Sequence, residues 1–569
     1  MKRKSIFPFV ALLLVLSLSL ASCATPATQA PAPAPQETAA PVVEETEAPV
    51  VGETEAPVVA TEEPVVETEA PAPEPTTLVV AMNIDGIITL DPGHAFEIEP
   101  PAIMEQTYDY LVETLPADLN KFEPRLADSW ETSEDGLVWT FNLHPGVTFP
   151  SGNPLTAEDV RFSWMRLINI KGSGAEYLTM VDKIEVVDDL TLKVTLKFPS
   201  PEFMSAVGTG LCAVLDSKVA KEHGATDAAD ADTTDTAKDY IDQHSLGSGA
   251  YIQTSWTPKS EIVLEANPNY WRSAPEIDKI IYKNVTDPTT ALQLLQKGEV
   301  DIVYMLDRDL VEQAKADPNI VVVAGQMYNM DYIAMTSNPE LSEPLSKKLV
   351  RQAIIKAIDY DGLIQGIMSG YAISAPGLIP VGVIGVDPNV KPARDLDKAR
   401  ELLAEAGYPD GFEVDLSYGT SAERDLVAAK IQADLAEVGI NVTLQPLELS
   451  VYFTESRAQH LAFLIGPYAT DRMDPANWVA YMSYPDGGVS KRLFYDNPES
   501  VRLADLVARE LDVEKRADYV SQLEAVWAED AWAKLLYQPQ QVIAMNKKVQ
   551  GFEFHPFVFV IVRNLTLTP

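Results

Sequence analysis

Cysteine is nearly absent from this chain, with two in 569 residues, at Cys23 and Cys212. A disulfide-built scaffold is therefore excluded. Cys212 lies in the apolar run Leu211 to Leu215, which predicts a buried, inert thiol. Histidine is also scarce. The six, at positions 94, 144, 223, 244, 460 and 555, include no pair at helical metal-ligand spacing and join no Cys/His cluster. No H-E-x-x-H, G-x-S-x-G, phosphate-binding Walker loop or C-x-x-C occurs. Positive charge is the third shortage: 43 Lys and Arg stand against 84 Asp and Glu, a net charge of -41, and no basic cluster forms. Nucleic-acid and anionic-membrane surfaces need such clusters, so neither partner is expected. Carboxylates are abundant, but nothing singles out one pair for acid-base chemistry. The expectation is a chain that is not an enzyme and holds no cofactor or metal.

The N-terminus indicates the compartment. Lys2, Arg3 and Lys4 precede an apolar stretch from Ile6 to Leu20, a length suited to a signal peptide and short for a membrane span. Leu20-Ala21-Ser22-Cys23 resembles a bacterial lipobox, which would make residues 1–22 a lipoprotein signal peptide and Cys23 the lipid-bearing mature N-terminus. Residues 23–76 carry eleven Glu, eleven Pro and no Lys, Arg, Asp or aromatic residue, and Glu45 to Val51 is repeated at Glu53 to Val59. Such a segment buries too little apolar surface to offset chain entropy. It is expected to be a disordered tether; a flexible coil of this length spans roughly 40 Å, and proline and charge repulsion extend it further.

Beyond residue 77 both hydrophobic periods appear. Leu137 to Leu143 alternates as a strand, and Ile184 to Lys197 reads as a hairpin about Asp188-Asp189. Thr156 to Asp159 opens a helix with a capping-box pattern. Lys398 to Ala406 is helical and stops at Gly407. A strand from Phe412, a helix carrying Val427, Ile431, Leu435 and Val438, and a strand from Ile440 follow. That strand-helix-strand unit implies a parallel pair in an α/β body, with ligand sites at strand ends or between domains.

Four long blocks, at residues 126–166, 247–271, 350–372 and 393–416, give a family resemblance. They include GVTFPSGNPLTAEDVRFSWMR, EANPNYW, VRQAIIKAIDYDGL and DKARELLAEAGYPDGFEVDL. In order and content they resemble the bacterial extracellular solute-binding proteins of family 5, which serve peptide and nickel ABC importers. The resemblance implies a fold like the periplasmic binding proteins (class II, cluster C), with two hinged α/β lobes and an extra inserted domain. It places a discontinuous domain I at 77–112, 201–325 and 540–569, an inserted domain II at 113–200, and domain III at 326–539. The hinge would lie near 325 and 540. It further implies a monomer that encloses its ligand between domains I and III and hands it to an ABC permease and its ATPase, outside the cytoplasm and held to the membrane by its lipid alone.

The same resemblance supplies candidate site residues. In Gly466 to Pro475, Asp471 matches the aspartate that pairs with a peptide α-ammonium, and Tyr468 matches an aromatic position, usually Trp, three residues earlier. Gly466 opens the segment, and Tyr177 lies where the inserted domain could approach the pocket. Asp474, before Pro475, reads as a turn residue. The expected ligand is a di- or oligopeptide. An oligosaccharide is the alternative, with Tyr468, Trp478, Tyr481 and Tyr484 as flat platforms. Nickel or haem suits the scattered histidines poorly, and a secreted hydrolase lacks a motif.

Overall fold

Alternation along single strands builds the lobe that carries most of the candidate residues. In the strand Asn329–Met335, Tyr332 and Ala334 face one way and Ile333 and Met335 the other, and all four are buried. A strand buried on both faces needs cover on both, and helices supply it. One side carries Lys348–Ala357, Leu396–Glu405 and Ala422–Ala436. The other carries Pro475–Met482, Pro498–Arg509 and Val513–Asp530. Between them lies a five-stranded sheet in the order Ile440–Leu447, Phe412–Gly419, Phe463–Ala469, Asn329–Met335, Ala533–Leu535. The first three strands run parallel and the last two antiparallel to their neighbours. The strand-helix-strand unit read at 412–447 is thus a parallel pair, with Phe412 opposite Ile440. Gly439, at a positive φ of 85°, turns the chain between helix and strand.

The computed structural model describes residues 75–97, 99–116, 118–470 and 472–568. Cys23, the signal peptide and nearly all of the tether lie outside them, as does Asp471. The described residues belong to one compact unit. Its largest sheet has eight strands, running Ile320–Gln326, Gln538–Asn546, Ile302–Val303, Thr77–Met82, Lys279–Asn284, Glu261–Ala266, Tyr251–Thr257, with Ala372–Ile373 joined to Gln538–Asn546. A separate four-stranded antiparallel sheet, Ala127–Thr132, Val138–Leu143, Thr191–Leu196, Val181–Asp188, packs on the helix Ala157–Ile170. Its helix has the capping box read from sequence: the Thr156 backbone N–H donates to Asp159 at 2.8 Å. The hairpin strands 181–188 and 191–196 meet about Asp188-Asp189, and Leu192, Val194 and Leu196 are buried.

The chain passes between the two larger sheets twice, from Ile320–Gln326 to Asn329–Met335 and from Ala533–Leu535 to Gln538–Asn546. The crossings lie side by side: Met327 N–H donates to Pro539 O at 3.1 Å, and Gln538 side-chain N–H to Met327 O at 3.5 Å. Elsewhere the sheets are tied by Arg308 to Glu423 at 2.5 Å. The hairpin at 112–124 is tied to the far lobe by Asn120 to the Gly382 carbonyl at 3.0 Å, and its Leu119 packs in that lobe's core.

Candidate ligand-binding site

The strand pair Asn329–Met335 and Phe463–Ala469 ends at Asn329 opposite Ala469, and a cavity of about 300 Å³ opens there. The pairing of Phe463–Ala469 with Phe412–Gly419 has already stopped at Ile465. Gly466 to Ala469 therefore have no strand on that side. Pro467 to Thr470 and Met327 to Asn329 form one wall. Phe96, Glu97 and Pro101, with Phe557 and Phe559, come from the chain around the eight-stranded sheet, and Glu176 from the short helix Ser173–Leu178 beside the four-stranded sheet. A smaller cavity of about 90 Å³ shares Phe96, Glu97, Pro101 and Phe557 with it and continues to Thr209, Arg472, His555 and Arg563. Tyr328 stacks on Phe557 across the cleft, ring centroids 5.5 Å apart.

Three of the four candidates can be placed by their surroundings. Tyr468 lines the larger cavity; its hydroxyl donates to Asn477 Oδ1 at 2.5 Å, and its ring meets Trp478 and Tyr481 at 5.9 and 5.8 Å. Burial first, and Tyr481 second, push its phenol well above its ordinary value, so it stays a neutral donor. Gly466 is not among the residues lining either cavity. It is the place where Tyr332 and Tyr452 come closest to the strand: a Cβ there would lie 2.6 Å from both hydroxyls. Gly466→Ala should accordingly lower stability by about 1–3 kcal/mol through overpacking, read as a lower urea midpoint. A midpoint equal to wild type would return Gly466 to the ligand site. Tyr177 is buried and lies outside the cavity lining. Asp471, which is not described, lies in sequence between Thr470, a wall of the larger cavity, and Arg472, a wall of the smaller.

The residues on either side of that position are well fastened. Thr470 N–H donates to Tyr328 O at 3.3 Å, and Thr470 Oγ1 to Arg472 O at 3.0 Å. Arg472 sits over the Tyr177 ring at 4.1 Å and pairs with Glu202 at 3.1 Å, joining the five-stranded lobe to the chain on the other side of the cleft. Burial raises the Glu202 carboxyl and the Arg472 charge draws it back down. Asp474 does more than turn the chain. It accepts from Ala476 N at 2.8 Å as the cap of the helix Pro475–Met482, and Arg516 Nη1 donates to its second oxygen at 2.8 Å in a buried two-pronged pair. The sequence reading missed this because the partner is 42 residues away.

Of the proposed sugar platforms, Tyr468 and Tyr481 line the cavity. Trp478 is fully buried in the core behind them, and Tyr484 donates to Asp505 at 3.0 Å away from the lining. Sequence reasoning missed Glu97, Tyr328, Phe453, Arg492 and Phe557, all of which line the larger cavity. No local pattern marks them, since the cleft collects them from five separate stretches of chain. Cys212 is buried, its thiol pushed up to about 12 by burial, which makes it unreactive. Among the described residues no group of His, Cys, Asp and Glu is arranged to hold a metal, and no helix is long and apolar enough to cross a membrane.

An aromatic-walled cleft between two lobes, with charges of both signs, is a place to hold a small molecule. Known proteins agree. The chain is 28% identical over 507 residues to a probable D,D-dipeptide-binding periplasmic protein of Escherichia coli (strain K12), covering 88% of this chain and 95% of that one. It is 30% identical over 453 residues to a glutathione-binding protein of Pectobacterium atrosepticum, covering 76% and 83%. Its fold matches an ABC transporter-associated periplasmic binding protein from Helicobacter pylori, solved with the peptide STSA, at a TM-score of 0.69 and 26% identity, over 86% of this chain and 98% of that one. The model of the middle region of family 5 matches residues 121–490. With the fold, the cleft and these likenesses in agreement, the chain belongs to the bacterial extracellular solute-binding proteins, family 5.

Proposed function

We propose that this protein is the peptide-capturing receptor of an ABC importer, tethered outside the cytoplasm by a lipid on Cys23. The observation that carries the reading is the larger cavity. It is walled from both lobes, lies at the open end of a strand pair, and is lined by Glu97, Glu176 and Arg492 among aromatic side chains. A short peptide has the same composition: extended backbone, apolar surface and opposite charges at its ends. Closing two lobes over it removes water, which strengthens each polar contact. Backbone recognition at a strand end reads the peptide's main chain and tolerates varied side chains. Asp471 is the partner for its α-ammonium. Domains I (77–112, 201–325 and 540–569) and III (326–539) are the closing parts, and domain II (113–200) holds Arg472 through Tyr177. The permease and its ATPase then receive the peptide unaltered.

Intrinsic fluorescence separates this reading from the sugar alternative. Titration with di- to pentapeptides should give a saturable change, and cello- and xylo-oligosaccharides none. Saturation by the sugars alone overturns the peptide reading. Mass spectrometry of the recovered peptides should find them intact; cleaved products would instead support hydrolysis.

A further inference from the structure

The strands Val112–Leu115 and Asp118–Pro124 pair with each other and, among the described residues, with no third strand. Their base is fixed to one side of the cleft. Val112 is buried in the core of the four-stranded sheet, and Phe122 packs against that core. Glu113 pairs with Arg272 at 2.9 Å and with Arg563 at 2.8 Å, and Arg272 donates to the Pro124 carbonyl at 3.0 Å. The outer part is mostly wet: Leu115, Asp118, Asn120 and Lys121 are exposed. Leu119 is different. It is 8% exposed, and what covers it is the other lobe. Every other buried member of the core it joins lies between Tyr328 and Leu535. Asn120 adds its hydrogen bond to the Gly382 carbonyl.

The receiving segment is itself pinned. Ile379 N–H donates to the Glu524 carboxyl at 2.6 Å, and Val381 N–H to Gln538 Oε1 at 3.0 Å. Gln538 belongs to the second crossing between the sheets and also donates to Met327 of the first. The tip therefore lands beside the paired crossings, from a base that cannot follow the far lobe. Rotation of that lobe away must withdraw Leu119 into water and forfeit its apolar burial. We propose that this hairpin is a brake on lobe opening: with Leu119 seated, it holds the two lobes together even when no guest lies between them. Its action depends on the seating of one side chain and not on the chemistry of the guest, so it stands apart from the peptide reading. Loosening the brake changes the closed fraction that any guest meets, and with it the apparent affinity.

The test measures the distance between the lobes in the full-length protein, refolded from urea so that no captured guest remains. Spin labels are placed by Lys183→Cys in the four-stranded sheet and Arg502→Cys on the helix Pro498–Arg509, both exposed sites. Cys23→Ser removes a competing thiol, and Cys212 is buried and takes no label. These two elements approach each other near Gly136, where a Cβ would lie 2.5 Å from Leu511. Double electron–electron resonance should show a dominant short separation with Leu119 in place. Leu119→Ala should raise the ratio of long to short separations about tenfold or more, the weight of one buried leucine. Leu119→Met, which refills the socket, should keep the ratio near that of leucine. Asn120→Ala takes the place of Leu119→Ala if the latter fails to fold, and should raise the ratio about threefold. Long separations already dominant with Leu119 in place overturn the brake. So does a ratio that the folded variant leaves unchanged, even where its melting temperature falls, since Leu119 would then be packing alone.

Discussion

Replacing Arg125 by methionine should lower folding stability by about 3–5 kcal/mol, the largest structural effect expected of a single substitution here. Arg125 is buried among three carboxylates. Its Nε donates to Asp109 at 2.7 Å, its Nη1 to Glu105 at 3.0 Å, and Glu113 lies 3.7 Å from the same nitrogen. Its Nη2 also donates to the Tyr108 carbonyl at 2.8 Å, and the guanidinium lies 4.0 Å from the Tyr110 ring centroid. Arg563 closes the network from the C-terminal end of the chain, pairing with Glu105 and, at 2.8 Å, with Glu113. Methionine conserves much of the volume and removes the charge, so Glu105 and Asp109 would be left buried with too few partners. Burial alone would push the Glu105 carboxyl up; Arg125 and Arg563 together hold it at about 2. A depressed folded value means that Glu105 stabilises the fold fully above its ordinary value of 4.5 and loses that contribution as pH falls towards 2. Urea midpoints recorded at pH 7 and pH 4 test both statements. The variant should be much weaker at pH 7, and the gap between it and wild type should narrow in acid. A loss below about 1 kcal/mol at pH 7 would mean that hydrophobic packing replaces the network without penalty.

Asp471→Asn should weaken peptide binding by about 100-fold or more while leaving the melting temperature of the unliganded protein in place. Asparagine keeps the shape of the side chain and one hydrogen-bond acceptor, and loses the charge that a peptide ammonium needs once the lobes exclude water. Removing one member of a buried charged pair costs about 2–5 kcal/mol, of which 2.7 is roughly a factor of 100. The two flanking residues are each fastened: Thr470 is tied to Tyr328, and Arg472 is clasped by Tyr177 and Glu202. N-acetylated peptides are the complementary probe. Wild type should bind them about as weakly as the variant binds free peptides, and the variant should not distinguish acetylated from free. Calorimetry showing unchanged affinity in Asp471→Asn would move the ammonium site elsewhere, Glu97 and Glu176 being the other carboxylates on the cavity wall.

The local elements were readable in the sequence because their signals are local. The alternation in 138–143, the capping box at Thr156 and the stop at Gly439 each depend on residues within a few positions of one another, and each appears in the structure. The parallel pairing of 412–419 with 440–447 was readable for the same reason, since one helix separates the two strands. The electrostatics were not. Glu105 meets Arg563 across 458 residues and Asp474 meets Arg516 across 42, and neither spacing follows any period. Arg492 adjoins Lys491, and nothing in the sequence says which of the two enters the cavity; the fold turns Arg492 inward and leaves Lys491 exposed. Gly466, read from sequence as part of a binding segment, makes room for two tyrosines, a role visible only once the strand and its neighbours are in place.

The paired crossings at Met327 and Pro539 have a consequence for how the molecule can breathe. Two covalent links laced to each other by hydrogen bonds act as a ribbon: stiff against sliding and shear, compliant mainly to flexing across its width. Any motion of one half against the other is then expected to run mainly about this ribbon, like the spine of a book. One well-chosen distance between the halves would then report such an excursion.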